Sequence, residues 1–261
     1  MSNNRLNSTL IILMIHLALI EFLLPEASGS NTFFIAVYFL IYALPSFFLA
    51  TAIKNENEGY FRIKRLTFRD FYYISLYFLL FMLISPVLRL IFPNDIPNYN
   101  CSPFSLFTSG ILAPILEEIL WRGVVFEKLS KQSTAFAMIF SSLIFALLHE
   151  NSAGLVYAFL GSMILTLLYI KSGSLLPGII LHLTNNLVAT LSGVFPLMLR
   201  ILLTLTVTVV ILANTSFRKY IKSDTNTEYI PLDRMIFTSP YIYLNLILVL
   251  LIRYFDLGGL T

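Results

Sequence analysis

Three ionisable side chains, Glu117, Glu118 and Arg122, interrupt an apolar run that extends from Leu106 to Phe126. A charged group at membrane depth costs at least ~2.5 kcal/mol on insertion scales, so such groups are rare there and functional by default. Glu118 and Arg122 are four residues apart, so they share one helix face and can form an ion pair. Glu117 lies about 100° round the same helix and points elsewhere. The spacing therefore predicts one carboxylate with a local partner and one without.

Two more polar pairs follow in apolar segments. Phe145 and His149 are four residues apart, as are His182 and Asn186, so each pair shares a helix face. Imidazole and carboxamide groups can both donate hydrogen bonds without a formal negative charge. Taken alone, His149 is more simply explained as an interfacial or core histidine, and His182 with Asn186 is equally well explained as an interhelical hydrogen-bond pair. The other ionisable side chains in apolar segments show no spacing that pairs them, and we interpret them as structural: His16, Glu21, Arg89, Arg200 and Arg253.

One carboxylate, two imidazoles and a carboxamide on neighbouring helices are the groups needed for acyl transfer to water. A carboxylate that has lost its water contacts is a stronger base and can take a proton from water. One histidine can hold or share that proton. The other, with the asparagine, can stabilise an oxyanion, which typically contributes a few kcal/mol. This chemistry requires no serine or cysteine nucleophile.

Missing motifs argue against several other intramembrane chemistries. His149-Glu150 is followed by Asn151-Ser152-Ala153, so the chain lacks a His-Glu-x-x-His zinc motif. Every aspartate lies outside the central apolar segments, and no serine stands in a Gly-x-Ser-Gly context, which argues against an aspartyl pair and a serine–histidine dyad. Glutamate–histidine chemistry remains. Glu117, His149 and His182 would also suit zinc as three ligands, so the residues alone leave a metal open.

The composition indicates the elements that must position these groups. The chain is 57% hydrophobic and 12% charged, with a mean hydropathy of +0.82, which is typical of a polytopic membrane protein. Its net charge of +3 is scattered over short loops and does not indicate nucleic-acid binding. A single cysteine, Cys101, excludes an intramolecular disulfide and a cysteine-built metal site. We expect an all-α bundle of transmembrane helices forming one membrane domain, 1–261, of unknown oligomeric state.

A transmembrane helix needs about 20 mostly apolar residues. Segments that approach this criterion predict eight or nine spans, near 8–24, 32–53, 71–92, 104–126, 134–150, 154–170, 175–194, 197–213 and 240–254. The pair 134–150 and 154–170 is short and is compatible with tilted or partly re-entrant helices. Prolines inside spans, such as Pro45 and Pro114, are tolerated when neighbouring groups bind the freed carbonyls.

The basic residues set the orientation. Thirteen of the 17 fall at the N-terminus or in alternate loops on one side, whereas the loops around 25–31, 93–103 and 150–153 carry none. The positive-inside rule makes the basic side cytoplasmic. We therefore predict a multi-pass protein of the cell membrane with a cytoplasmic N-terminus. A cleaved signal peptide ending near Ala27-Ser28-Gly29 is the alternative for the first span.

Three motifs carry a family resemblance. Glu-Glu-x-x-x-Arg at 117–122, Phe-x-x-x-His at 145–149 and His-x-x-x-Asn at 182–186, in this order, resemble those of the CPBP family. These are the CAAX proteases and bacteriocin-processing enzymes, also called the Abi family of intramembrane glutamic endopeptidases. Arg122-Gly123 and the segment 173–177 before His182 also resemble it. The resemblance covers roughly 105–190, the predicted catalytic core, and the flanking spans carry none.

The resemblance implies a metal-independent endopeptidase that needs no cofactor and whose site opens towards the cytoplasm. It implies that Glu117 and His149 activate water, and that His182 and Asn186 form the oxyanion hole. Glu118 and Arg122 would support the site, with Phe145 as the aromatic residue of the second motif. The substrate would be a peptide or a lipidated protein at the lipid bilayer, cleaved in peptide or bacteriocin maturation or in self-immunity.

Helix geometry conflicts with this shared site. Counted from Thr134 at 1.5 Å per residue, His149 lies about 22 Å into the membrane, whereas His182 lies only about 9 Å from Leu176. Either the fifth span starts below the membrane edge, around Lys128, or the seventh begins deeper than its apolar run suggests.

Two other functions fit the same sequence. A non-catalytic membrane scaffold could regulate a partner such as a sensor kinase or a peptide exporter. A transporter or proton relay would also use buried carboxylates and histidines. No pair of interrupted helices in matched halves favours the transporter.

Overall fold

The computed structural model describes residues 3–27, 30–51, 61–93, 102–149 and 151–191, and all regular secondary structure in these ranges is helical. The helices are α1 (Asn3–Ala27), α2 (Asn31–Thr51), α3 (Phe68–Ile91), α4 (Pro103–Ser130), α5 (Thr134–Leu147), α6 (Ser152–Ser172) and α7 (Leu175–Thr190). The prediction of an all-α fold is confirmed for this part of the chain.

Each of the first seven predicted spans coincides with one helix, but the count of eight or nine spans is not confirmed. Among the described residues, four helical stretches are long and apolar enough to cross a membrane: Asn31–Phe48, Phe68–Leu88, Pro103–Ser130 and Ser152–Ser172. Helix α5 has 14 residues and covers about 21 Å, less than the ~30 Å hydrocarbon core. The predicted spans 197–213 and 240–254 lie outside the described residues.

Local sequence signals fix where several helices begin and end. An N-cap side chain that accepts a hydrogen bond from a backbone N–H of the first turn precedes each of five helices. These residues are Thr67, Ser102, Ser133, Asn151 and Ser174. Helix α6 ends at Gly173, whose φ of 61° lies in the left-handed region that glycine adopts without a steric penalty. Gly173 and Ser174 therefore separate α6 from α7 with a very short connection.

Helix α4 is interrupted by two π-helical turns, Thr108–Leu112 and Trp121–Phe126, on either side of the α-helical segment Ala113–Leu120. Pro114 has no N–H, so it cannot donate to the carbonyl four or five residues before it. The carbonyl of Ser109 is one of these. Isolated π-helical turns often occur at functional sites, and here they flank the segment that carries both glutamates.

Helices α4 and α7 lie at the centre of the described helices. Helix α4 packs against α1, α2, α5 and α7, and α7 packs also against α3 and α6. Glycine permits the close approach of α7 to α4, because a Cβ atom at Gly178 would lie 3.1 Å from Oε2 of Glu118. Apolar side chains from α1, α2, α4 and α5 form the larger core, which includes Leu13, Ile41, Leu120 and Ile144.

The conflict between the two histidine depths is resolved by the start of α7. Leu175 lies beside Gly123, because a Cβ atom added at Gly123 would be 3.2 Å from Cδ1 of Leu175. Gly123 precedes Ser130, the end of α4, by seven residues, or about 10 Å of helix. Helix α7 therefore begins about 10 Å deeper than the α4–α5 connection, which accounts for most of the difference between His149 and His182.

Candidate active site

The predicted ion pair between Glu118 and Arg122 is present and closed to solvent. Arg122 Nη1 donates to Oε1 of Glu118 over 2.8 Å, and both side chains are 1% exposed. The other terminal nitrogen, Nη2, donates to the hydroxyl of Ser162 over 2.7 Å and to its carbonyl over 3.0 Å. The guanidinium also lies over the ring of Phe145, 5.5 Å from its centroid, in a cation–π contact. These contacts fix the pair between α4, α5 and α6.

His182 connects the two glutamates. Its Nδ1 lies 2.9 Å from Oε1 of Glu118, and its Nε2 lies 3.7 Å from Oε2 of Glu117. An ionised carboxylate only accepts hydrogen bonds, so the nitrogen facing Glu118 carries the proton of that bond. Glu118 thereby fixes the orientation of the imidazole and directs Nε2 towards Glu117.

Glu117 has partners from a helix that the motifs do not include. The hydroxyl of Tyr38 donates to Oε1 of Glu117 over 3.1 Å, and that of Tyr42 donates to the same oxygen over 3.4 Å. The Glu117 side chain is 15% exposed, against 1% for Glu118. The two carboxylates therefore point to different surroundings, as the 100° rotation between them predicts.

His149 lies beyond the C-terminus of α5, in the turn before α6. Its Nδ1 is 3.2 Å from the carbonyl of Phe145, which makes Nδ1 the donor and Nε2 the acceptor nitrogen of a neutral ring. The Phe145 ring stands edge-on to both imidazoles, with centroids 5.2 Å from His149 and 6.2 Å from His182. Phe145 therefore contacts both histidines through one aromatic ring.

Asn186 is held by two hydrogen bonds. Its Nδ2 donates over 3.0 Å to the carbonyl of Ser109, the group that Pro114 leaves without a helical donor. Its Oδ1 accepts from Nδ2 of Asn185 over 3.3 Å, and Asn185 accepts in turn from the hydroxyl of Tyr157 over 2.5 Å. A carboxamide nitrogen carries two hydrogens, so one remains after the bond to Ser109.

The four predicted catalytic residues line one cavity of about 230 Å³. They are Glu117, His149, His182 and Asn186. Glu118 and Arg122 are not among the lining residues, but they contact the cavity wall through His182, Phe145 and Ser162. The remaining wall combines apolar side chains such as Phe81 and Leu165 with polar ones that the motifs do not contain. The structure thus brings the four residues together, and their catalytic roles stay predictions.

No three His, Cys, Asp or Glu side chains are grouped to hold a metal ion anywhere in the described ranges. Zinc at Glu117, His149 and His182, which the sequence left open, stays an untested alternative. Nδ1 of His182 is bonded to Glu118, and the Phe145 ring stands edge-on to both imidazoles.

Sequence reasoning missed the tyrosines and one asparagine of this site. Tyr38 and Tyr42 are four residues apart, a spacing that places two hydroxyls on one face of α2. That spacing was a usable signal, but tyrosine is common in this chain and nothing in the sequence relates α2 to Glu117. Asn185 adjoins a motif residue, yet its contacts depend on how α6 and α7 pack.

Residues 100–188, about a third of the chain, match a family model described as Rce1-like, type II CAAX prenyl endopeptidase Rce1-like. The match confirms the resemblance to the CPBP family over this segment, which has nearly the bounds of the predicted core. No curated protein and no solved structure matches the chain.

The class of protein follows from the fold and this match together. Several described helices are long and apolar enough to cross a membrane, and the matched family consists of membrane endopeptidases. The protein is a multi-pass membrane protein, and its segment 100–188 is similar to membrane endopeptidases of the CAAX-protease type.

Proposed function

We propose that the protein is a metal-independent glutamic endopeptidase that hydrolyses a peptide bond near the cytoplasmic face of the cell membrane. The observation that carries this proposal is that Glu117, His149, His182 and Asn186 share one cavity. Motif residues on three helices and one turn converge there, whereas the ion pair of the first motif lies behind it. A purely structural set of polar groups would be satisfied by its own contacts and would not need to line a cavity.

In this proposal, Glu117 and His149 activate a water molecule. Oε1 of Glu117 is engaged by Tyr38 and Tyr42, so Oε2 is the oxygen available to take a proton from water. In a neutral ring, Nε2 of His149 is the acceptor nitrogen. It can accept the second hydrogen of the same water molecule and so orient that water. Proton removal by a positioned side chain contributes about 10²- to 10⁴-fold. The water oxygen then adds to the scissile carbonyl carbon.

His182 and Asn186 form the proposed oxyanion hole. The second hydrogen on Nδ2 of Asn186 can donate to the oxyanion, and His182 can donate from Nε2 when that nitrogen carries a proton. Loss of one such donor typically costs about 2.7–4 kcal/mol of barrier height. The proton taken by Glu117 passes to the leaving amine as the C–N bond breaks, which yields a carboxylic acid and an amine. The acid then releases its proton to solvent.

The cytoplasmic orientation rests on the charge distribution and on contacts at one end of the helices. Leu175 donates to the carbonyl of Arg62 over 2.8 Å, and Arg62 forms an ion pair with Glu127 at the end of α4. The basic segment 62–65, the α4 terminus and the start of α7 therefore lie together. The positive-inside rule assigns this end to the cytoplasm.

Cleavage of defined peptides by the purified, nanodisc-embedded protein tests the proposal. A fluorogenic peptide with a farnesylated C-terminal cysteine motif and its unprenylated counterpart cover the two substrate classes. We expect Glu117→Gln to lower kcat/KM by about 10³-fold or more. Glu127→Gln is the matched control, because Glu127 lies on the same helix outside the cavity and keeps its hydrogen bond from Tyr169. Equal cleavage by wild type and Glu117→Gln would overturn the proposal.

A comparison of peptides in cells identifies the biological substrates, including any substrates of peptide maturation or bacteriocin self-immunity. Membrane-associated and secreted peptides from cells with wild type are compared with those from cells with Glu117→Gln. An endopeptidase leaves fragments that disappear in the variant. Full complementation by Glu117→Gln would instead favour a scaffold that regulates a sensor kinase or an exporter.

A further inference from the structure

The two oxygens of Glu117 have different tasks in the cavity. Oε1 accepts from Tyr38 over 3.1 Å and from Tyr42 over 3.4 Å. Oε2 faces Nε2 of His182 at 3.7 Å. Two donors on one oxygen fix the rotation of the carboxylate about its terminal bond. The other oxygen is consequently held towards the imidazole and the cavity.

Both donors come from α2, outside the segment 100–188 that matches the family model. Tyr38 and Tyr42 stand one helical turn apart, with ring centroids 4.9 Å from each other. Tyr38 lines the cavity, whereas Tyr42 is buried behind it. The two tyrosine hydroxyls therefore reach Glu117 from consecutive turns on the same face of α2.

The position of Tyr42 is fixed by α1. His16 is fully buried and stands edge-on to Tyr42, with ring centroids 5.0 Å apart. Nδ1 of His16 lies 3.0 Å from the carbonyl of Ile41, the group that Pro45 leaves without a helical donor. This bond ties α1 to α2 next to Tyr42, although His16 does not line the cavity. The ring of Trp121 on α4 also stands edge-on to His16, with ring centroids 6.0 Å apart.

We propose that Tyr38 and Tyr42 are positioning residues for the general base, and that α1 and α2 are thus part of the catalytic machinery. This inference rests on the proposed function of Glu117. The tyrosines hold Oε1 so that Oε2 meets the water in one orientation. Misplacement of a reacting group by about 1 Å can lower the rate about 10²-fold, so loss of both hydroxyls affects kcat more than KM.

The test compares kcat and KM for Tyr38→Phe, Tyr42→Phe and the double variant with those of wild type. Because either hydroxyl alone can hold Oε1, we expect each single variant to lose about 3- to 5-fold in kcat. We expect the double variant to lose about 100-fold, more than the product of the single losses. KM stays within about 2-fold of wild type. Tyr77→Phe on α3 is the matched control and retains wild-type kcat, because Tyr77 is not among the residues that line the cavity.

Rescue separates positioning from packing. Replacement of Tyr38 in the Tyr42→Phe background by 4-aminophenylalanine keeps an N–H donor and should restore kcat to the level of Tyr42→Phe alone. This arm and the single variants decide the question if the double phenylalanine variant does not fold. The inference would be overturned if the folded variants kept the kcat of wild type. It would also be overturned if kcat fell and KM rose to a similar extent and 4-aminophenylalanine restored neither. Both results leave the proposed function intact as long as Glu117→Gln is inactive, whereas an active Glu117→Gln overturns the proposed function itself.

Discussion

Two regions of this protein meet at adjacent residues of one helix: the closed ion-pair site around Glu118 and the open cavity around Glu117. In the closed site, Arg122 and His182 both bind Oε1 of Glu118, and the side chain is 1% exposed. In the cavity, Glu117 is held by tyrosine hydroxyls on one oxygen and faces His182 with the other. One residue type thus has two environments, because consecutive helical side chains diverge by about 100°. The difference predicts that Glu118 affects stability and Glu117 affects turnover.

The largest expected effect comes from opening the closed site. Arg122→Met leaves Glu118 buried without its cation, and removal of one partner from a buried pair costs about 3–5 kcal/mol. This is a large fraction of the 5–15 kcal/mol that stabilises a typical fold. Thermal unfolding in detergent measures the loss, and the double variant Glu118→Gln/Arg122→Met should recover part of it. A loss of similar size in Glu117→Gln would show that both carboxylates are structural.

The cavity side is tested next by Asn186→Ala, which removes a proposed oxyanion donor. We expect kcat to fall about 10²- to 10³-fold. Stability should fall by only about 1–2 kcal/mol, because the carbonyl of Ser109 loses its hydrogen bond. Thr184→Ala on the same helix is the control, since the Thr184 hydroxyl binds only the Ile180 carbonyl of its own helix. A large loss of stability with unchanged kcat per folded molecule would contradict the assignment.

A smaller effect is expected where α7 approaches the closed site. In Gly178→Ala, the added Cβ would lie 3.1 Å from Oε2 of Glu118, and that carboxylate is held in place by Arg122 and His182. Overpacking of this kind costs about 1–3 kcal/mol. Chemical unfolding in detergent measures it. Unchanged stability would mean that the contact between α7 and Glu118 is looser than the structure indicates.

The smallest expected effect concerns metals. A strong chelator such as 1,10-phenanthroline should change kcat less than 2-fold, because the proposed mechanism places proton transfer on Glu117 and oxyanion stabilisation on His182 and Asn186. Parallel assays with and without added zinc check this expectation. Loss of activity on chelation and its recovery with zinc would show that the cavity works as a metal site.

Local patterns were sufficient for much of the fold. Runs of apolar residues located all seven helices among the described residues. Cap residues such as Ser133 and Gly173 agree with the ends of these helices. Length was less informative, because α5 is too short to span the membrane although its composition suggests a span. The first π-helical turn of α4 ends two residues before Pro114, whereas no proline lies near the second turn, so Pro114 accounts for the turns only in part.

The sequence by itself determined which residues are paired along a helix. The ion pair of Glu118 with Arg122, and the separation of Glu117 from it, follow from the fixed rotation per residue. The order of the three motifs was likewise enough to indicate the family that residues 100–188 match.

Only the tertiary structure decided what Glu117 contacts. Tyr38 is 79 residues away from it along the chain, and neither its side chain nor its spacing specifies a partner on another helix. The deep start of α7 beside Gly123, which brings His182 level with the glutamates, is also a result of packing between helices. Contacts within a helix depend on a repeat that is the same in every chain. Contacts between helices depend on how all of them fit together.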